Sequence, residues 1–166
     1  GLVDRTAENF TLTTTIDNKT TSAGNDLFVG LPTTLSVGDV LNGGAGSDTL
    51  SVTVSTTGTG AAANVSLLGF TTTSIENLQF AMVDGNATDS ADVTVNLLTS
   101  NPDTVTLTGS TATAANADTF TVTNVASGTS LSLIGTANLD ATVTYNAAAT
   151  TGSASAETLK VNGVTR

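Results

Sequence analysis

Gly43-Gly44-Ala45-Gly46-Ser47-Asp48-Thr49-Leu50-Ser51 sets three glycines, one aspartate and one apolar residue at fixed offsets. It fits the nonapeptide Gly-Gly-x-Gly-x-Asp-x-apolar-x, whose chemistry is calcium held between stacked turns of short strands. Glycine reaches positive φ without a Cβ penalty, so the chain can bend until its carbonyls point inward. The aspartate adds a hard anionic oxygen of the kind calcium takes. Nine residues upstream, Thr34-Leu35-Ser36-Val37-Gly38-Asp39-Val40-Leu41-Asn42 repeats the aspartate and the apolar position but lacks the leading glycine pair. Further back, Thr21-Ser22-Ala23-Gly24-Asn25-Asp26-Leu27-Phe28-Val29 matches at Gly24, Asp26 and Phe28, with the insert Gly30-Leu31-Pro32-Thr33 between the two. The candidate calcium-site residues are Gly24, Asn25, Asp26, Gly38, Asp39, Asn42, Gly43, Gly44, Gly46 and Asp48. The competing reading makes these ordinary turns, in which Asp bonds nearby backbone.

A weaker candidate follows at Asp84-Gly85-Asn86-Ala87-Thr88-Asp89-Ser90-Ala91-Asp92. Asp84, Asn86 and Asp89 are the candidate ligands here, and Asp84, Asn86 and Thr88 place oxygens at alternate positions, as in an EF-hand loop. The sixth position is Asp89 and not glycine, and the twelfth is Val95 and not glutamate, so a solvated acidic loop is the simpler reading. Catalytic chemistry is poorly supplied. The chain has no His and no Cys, which removes the usual acid–base and thiolate mechanisms. Paired carboxylates can hydrolyse glycosides, but the aromatic platforms and basic residues that hold sugar are nearly absent. The expectation is a protein without enzymatic activity.

The 166 residues carry 14 acidic and 4 basic side chains, a net charge of −10. Such a chain repels nucleic acid and anionic membranes, and its compact form is opposed by self-repulsion until cations neutralise it. Without cysteine it forms no disulfides. No apolar run reaches membrane-spanning length. The start, Gly1-Leu2-Val3-Asp4-Arg5, lacks the basic and apolar regions of a signal peptide, so an export signal is expected elsewhere in a longer parent protein.

The elements that position these residues read as short strands. Phe10-Thr11-Leu12-Thr13, Leu50-Ser51-Val52-Thr53-Val54 and Val105-Thr106-Leu107 alternate, and Thr supplies about a fifth of the chain. An acidic residue precedes many of them: Asp48-Thr49-Leu50, Asp103-Thr104-Val105, Asp118-Thr119-Phe120 and Glu157-Thr158-Leu159. The spacing is uneven, which a parallel stack tolerates because each turn touches only its neighbours. The predicted fold is all-β, a right-handed parallel β-helix continuing from a β-roll, with a β-sandwich as the alternative. One continuous domain is expected: residues 1–20 a leading strand segment, 21–51 the calcium-binding turns, 52–166 the solenoid. Phe70, Phe80 and Met82 are expected in its core.

Phe10 to Asn18, Ser22 to Asp26, Gly38-Asp39 and Leu41 to Leu50 together resemble a block in calcium-dependent bacterial surface-layer proteins of the RTX superfamily, Caulobacter-like. Ile75-Glu76-Asn77-Leu78 is similar to a strand start in the same proteins. The resemblance covers about the first half of the chain and implies calcium-triggered folding outside the cell, type I secretion, and self-assembly into a lattice at the cell surface. Surface polysaccharide is implied as a partner of other parts of the parent. Related blocks occur in RTX adhesins and in secreted calcium-stabilised exoenzymes, which are the alternative functions. Thr21-Ser22 and Thr34-Leu35 replace the glycine pairs of the family pattern, so those turns depart from it.

Overall fold

The structure is a computed structural model, describing residues 2–56, 64–84, 92–109, 118–135, 139–146 and 159–162. In chain order the strands are β1 (Asn9–Thr11), β2 (Asn18–Thr20), β3 (Leu27–Gly30), β4 (Val40–Asn42), β5 (Thr49–Thr56), β6 (Val65–Leu67) and β7 (Thr71–Thr73). There follow β8 (Asn77–Asp84), β9 (Asp92–Asn96), β10 (Thr104–Thr108), β11 (Asp118–Val125), β12 (Ser130–Ile134), β13 (Leu139–Tyr145) and β14 (Leu159–Asn162). The described residues contain no helix, and therefore none long and apolar enough to cross a membrane.

Three sheets hold these strands, in the orders β1-β3-β5-β8-β10-β12-β14, β13-β11-β9-β6 and β2-β4-β7. Pairing is parallel in all of them. Successive members of a sheet come from successive passes of the chain, an arrangement consistent with a β-solenoid or roll. It differs from the antiparallel meanders and Greek keys of a sandwich. The first two passes contribute one strand each to the first and third sheets. The second sheet begins with β6, so the stack widens at the third pass.

Alternation along each strand explains the core. Val93 and Val95 point inward while Thr94 does not, and Val105 and Leu107 flank Thr106 in the same way. Parallel register then stacks like on like. Phe28, Leu50, Leu78, Val105 and Leu131 form one buried column of the first sheet, and Val52, Phe80, Leu107 and Leu133 the next. Across from them lie Val93 with Phe120, and Leu67 with Val95 and Val122. Phe70, Phe80 and Met82 are all core residues, as the sequence suggests.

Stacking neighbours lie 18 positions apart at Glu8 and Asp26, 22 at Asp26 and Asp48, and 28 at Asp48 and Glu76. Eighteen is two nonapeptides. The step to 22 absorbs the four-residue insert after Val29. Pairing runs on across residue 20, since β1 pairs β3 and β2 pairs β4.

Candidate metal site at the carboxylate corners

Nine residues make half a pass, so consecutive aspartates fall at opposite corners. Glu8, Asp26, Asp48 and Glu76 immediately precede β1, β3, β5 and β8 at one corner, whereas Asp17 and Asp39 precede β2 and β4 at the other. Asp26 and Asp48 are therefore stacked, and Asp39 stacks on Asp17.

Both columns are built by the same reciprocal bonding. Along the first, the Glu8 amide donates to Asp26 Oδ1 at 2.6 Å, the Asp26 amide to Asp48 Oδ1 at 2.7 Å, and the Asp48 amide to Glu76 Oε2 at 2.8 Å. In return the amides of Leu27, Thr49 and Asn77 donate to the carbonyls of Glu8, Asp26 and Asp48. Each carboxylate thus satisfies a main-chain donor that the turn would leave unpaired. In the second column the Asp17 amide donates to Asp39 Oδ1 at 2.8 Å. Asp39 Oδ2 accepts from the Ser36 amide, and Asp17 accepts from the amide and hydroxyl of Thr13.

Asp48 differs from the rest. It is fully buried, and its Oδ2 has no hydrogen-bond partner, one of two such buried atoms among the described residues with Ser100 Oγ. A Cβ on Gly43 would collide with both Asp48 Oδ2 and the Ser74 carbonyl oxygen, so two oxygens converge on the space that glycine leaves. Ser74 is held at φ 49°, a left-handed conformation uncommon outside glycine, asparagine and aspartate. Burial is the main cause that raises the Asp48 pKa, and the neighbouring charges of Asp26 and Glu76 add to it; only the bond from the Asp26 amide opposes them. A buried anionic oxygen facing a carbonyl with no donor between them is the electrostatic situation that a hard cation relieves.

The glycine-rich turns stack on the same corner. Gly46, at φ 138°, passes so close to the Gly24 carbonyl that a side chain there would collide with it, and Gly44 lies equally close to the Ser22 carbonyl. Asn25 Oδ1 accepts from the Ser47 amide at 3.0 Å and Asn42 Oδ1 from the Gly44 amide at 3.0 Å, so both amide oxygens are engaged in shaping turns. Gly38, at φ 96°, belongs to the opposite corner.

Of the sequence candidates, the structure gathers Gly24, Asn25, Asp26, Gly43, Gly44, Gly46 and Asp48 at one corner. Asp39 and Gly38 lie at the other. Asp84 closes β8, while Asn86 and Asp89 lie outside the described residues. Glu76 and Ser74 join the site without having been singled out as ligands; the sequence marks Glu76 as an acidic residue within the Ile75-Glu76-Asn77-Leu78 strand start, and Ser74 carries no signal of its own. No group of three or more His, Cys, Asp or Glu side chains suited to a metal occurs among the described residues, so a cation at this corner would have to draw on main-chain carbonyls as well. Compared with protein-family models, curated proteins and solved structures, the chain matches none.

Proposed function

We propose that this chain is a calcium-dependent, non-enzymatic structural module of a bacterial surface layer, folded outside the cell as a right-handed β-roll that continues into a β-helix. The supporting observation is the buried, unpartnered Oδ2 of Asp48, set against the Ser74 carbonyl across Gly43. A hard dication supplies the positive charge that this oxygen pair lacks. Asp48 and the Ser74 carbonyl would hold it, with Asp26 and Glu76 stacked on either side.

The residues themselves do the structural work. Asp26, Asp48 and Glu76 tie successive passes together through main-chain amides, and the glycines let the turns approach. With a net charge of −10 the chain resists compaction where calcium is scarce and folds where it is plentiful, because cation binding to the folded form adds to folding free energy. The surface-layer assignment rests on the sequence resemblance in the first half of the chain.

Circular dichroism during calcium titration and chelation tests this reading. The β-signal should rise with calcium, fall in part in excess chelator, and lose its calcium response in Asp48→Ala. Full β-structure in chelator, together with an unaltered Asp48→Ala variant, would sink it.

A further inference from the structure

The second corner carries its own pattern. Ile16, Val37, Leu68 and Leu98 come from four successive passes and are 68%, 66%, 44% and 69% exposed. Ile16 lies over Gly38, where a Cβ would come within 3.3 Å of its Cδ1, and Val37 lies over Gly69 in the same way. The Gly38 amide donates to the Gly69 carbonyl, and the Thr99 hydroxyl to the Phe70 carbonyl, so the passes bearing these side chains are stacked directly. The result is an aliphatic stripe running along the stack.

Its surroundings are uncharged. Residues 13–16, 34–38, 67–70 and 97–100 contain no charged side chain. The two carboxylates of this corner, Asp17 and Asp39, are buried and bonded to the amides and hydroxyl described above. On a chain of net charge −10, this is a line along which a second copy can approach without opposing carboxylates.

At the β1–β2 end of the stack, association by strand addition is obstructed. β1 and β2 are sheet edges, and an open edge invites another strand. Lys19 occupies the inward register position of β2, beside the fully buried Leu41. Its ammonium reaches Glu8 Oε2 at 3.0 Å and stands 5.6 Å from the Phe10 ring centroid, while Phe10 packs edge-on against Phe28. A charged side chain thus lies across the end of the core, where an added strand would have to bury it.

We propose that copies of this chain associate side by side along the Ile16–Val37–Leu68–Leu98 stripe, and that Lys19 excludes end-to-end strand addition. Four side chains bury only on the order of a few hundred Å² per copy, below the roughly 800 Å² per partner of a stable pair. A contact of that size is weak in a dimer and accumulates in an array. This rests on the self-assembly part of the proposed function but not on its calcium site.

Sedimentation velocity of the full chain in calcium, over a concentration series, is the first test. The wild type should associate weakly, and Ile16→Thr/Val37→Thr/Leu98→Thr should weaken the association by at least about tenfold with an unchanged β-signal. A wild type that stays monomeric throughout, or a triple variant that associates equally well, overturns the proposal. Since the chain has no cysteine, Val37→Cys gives a second readout that tolerates any folding defect of the triple variant. It should cross-link into dimers under oxidation, whereas Thr53→Cys, on another sheet face, should not; equal cross-linking of both refutes the stripe. Lys19→Thr should add an association that persists in the triple variant, and no such gain removes the role given to Lys19. Cross-linking at Val37→Cys in a chain that folds equally well in chelator leaves this contact standing while the calcium reading falls.

Discussion

In the second, third and fourth passes the residue before the strand of the first sheet is a carboxylate, Asp26, Asp48 or Glu76, that accepts an amide from the pass before it. At β12 the same place is held by Thr129, which is buried and donates its hydroxyl to the Pro102 carbonyl at 2.9 Å. The early turns of this corner collect negative charge, and the turn before β12 collects none. Asp103, which lies between them before β10, is already exposed. The stack is therefore held by its parallel apolar columns throughout and, near its start, by a second, charged means as well. The first supplies stability whatever the ionic conditions. The second carries the cost of burying an anion, and on the proposed reading it makes that part of the molecule responsive to a cation.

The largest effect that tests this contrast comes from the later passes. Phe120→Ala removes a fully buried ring opposite Val93 and should destabilise the chain by about 3–5 kcal/mol, equally in calcium and in chelator, as read by chemical denaturation. A calcium-dependent loss would mean the two regions are not separable. Gly43→Ala should come next, at about 1–3 kcal/mol or more, because its Cβ meets the Ser74 carbonyl and Asp48 Oδ2. Here the penalty should be accompanied by a loss of calcium response, which Phe120→Ala retains.

Asp48→Asn is smaller and more telling. It removes the charge and can present an amide N–H to the Ser74 carbonyl, so it should stabilise the calcium-free chain by about 1 kcal/mol while abolishing the calcium-induced shift in denaturation midpoint. Destabilisation in chelator would show that the carboxylate is already well satisfied.

The smallest effect is on pH. The folded pKa of Asp48 lies above its ordinary value of 3.8. The favourable contribution from its protonation is complete below 3.8 and is lost as pH rises through the raised value. Without calcium, this group should make the chain more stable as pH falls through that window. With calcium the trend should reverse, since the cation requires the ionised form. Denaturation midpoints measured with and without calcium should converge on acidification, and Asp48→Asn should remove the difference.

What could be read in the sequence was whatever repeats locally. Asp48-Thr49-Leu50 and Asp103-Thr104-Val105 each mark a strand start with an inward apolar residue one position on, and both occur so in β5 and β10. Gly30-Leu31-Pro32-Thr33 was legible as an insert because it offsets a nine-residue period. The partners across passes were not legible. Asp17 pairs with Asp39, and Glu76 with Asp48, over 22 and 28 positions, and those separations depend on how much chain each turn takes up. The left-handed Ser74 was hidden for the same reason, since its conformation is fixed by what it stacks on and not by its own residue type.

The uneven lengths of the passes have a practical consequence. Between β3 and β4 the chain turns on itself, the Thr34 and Leu35 amides bonding the Leu31 carbonyl and the Leu31 amide bonding the Thr34 hydroxyl, with Leu31 about half exposed. The four extra residues leave Asp26 and Asp48 in stacking contact. Strand registration is thus decoupled from what the chain does between corners. That makes the 31–34 turn a natural graft point, where a foreign peptide can be carried without rewriting the scaffold beneath it.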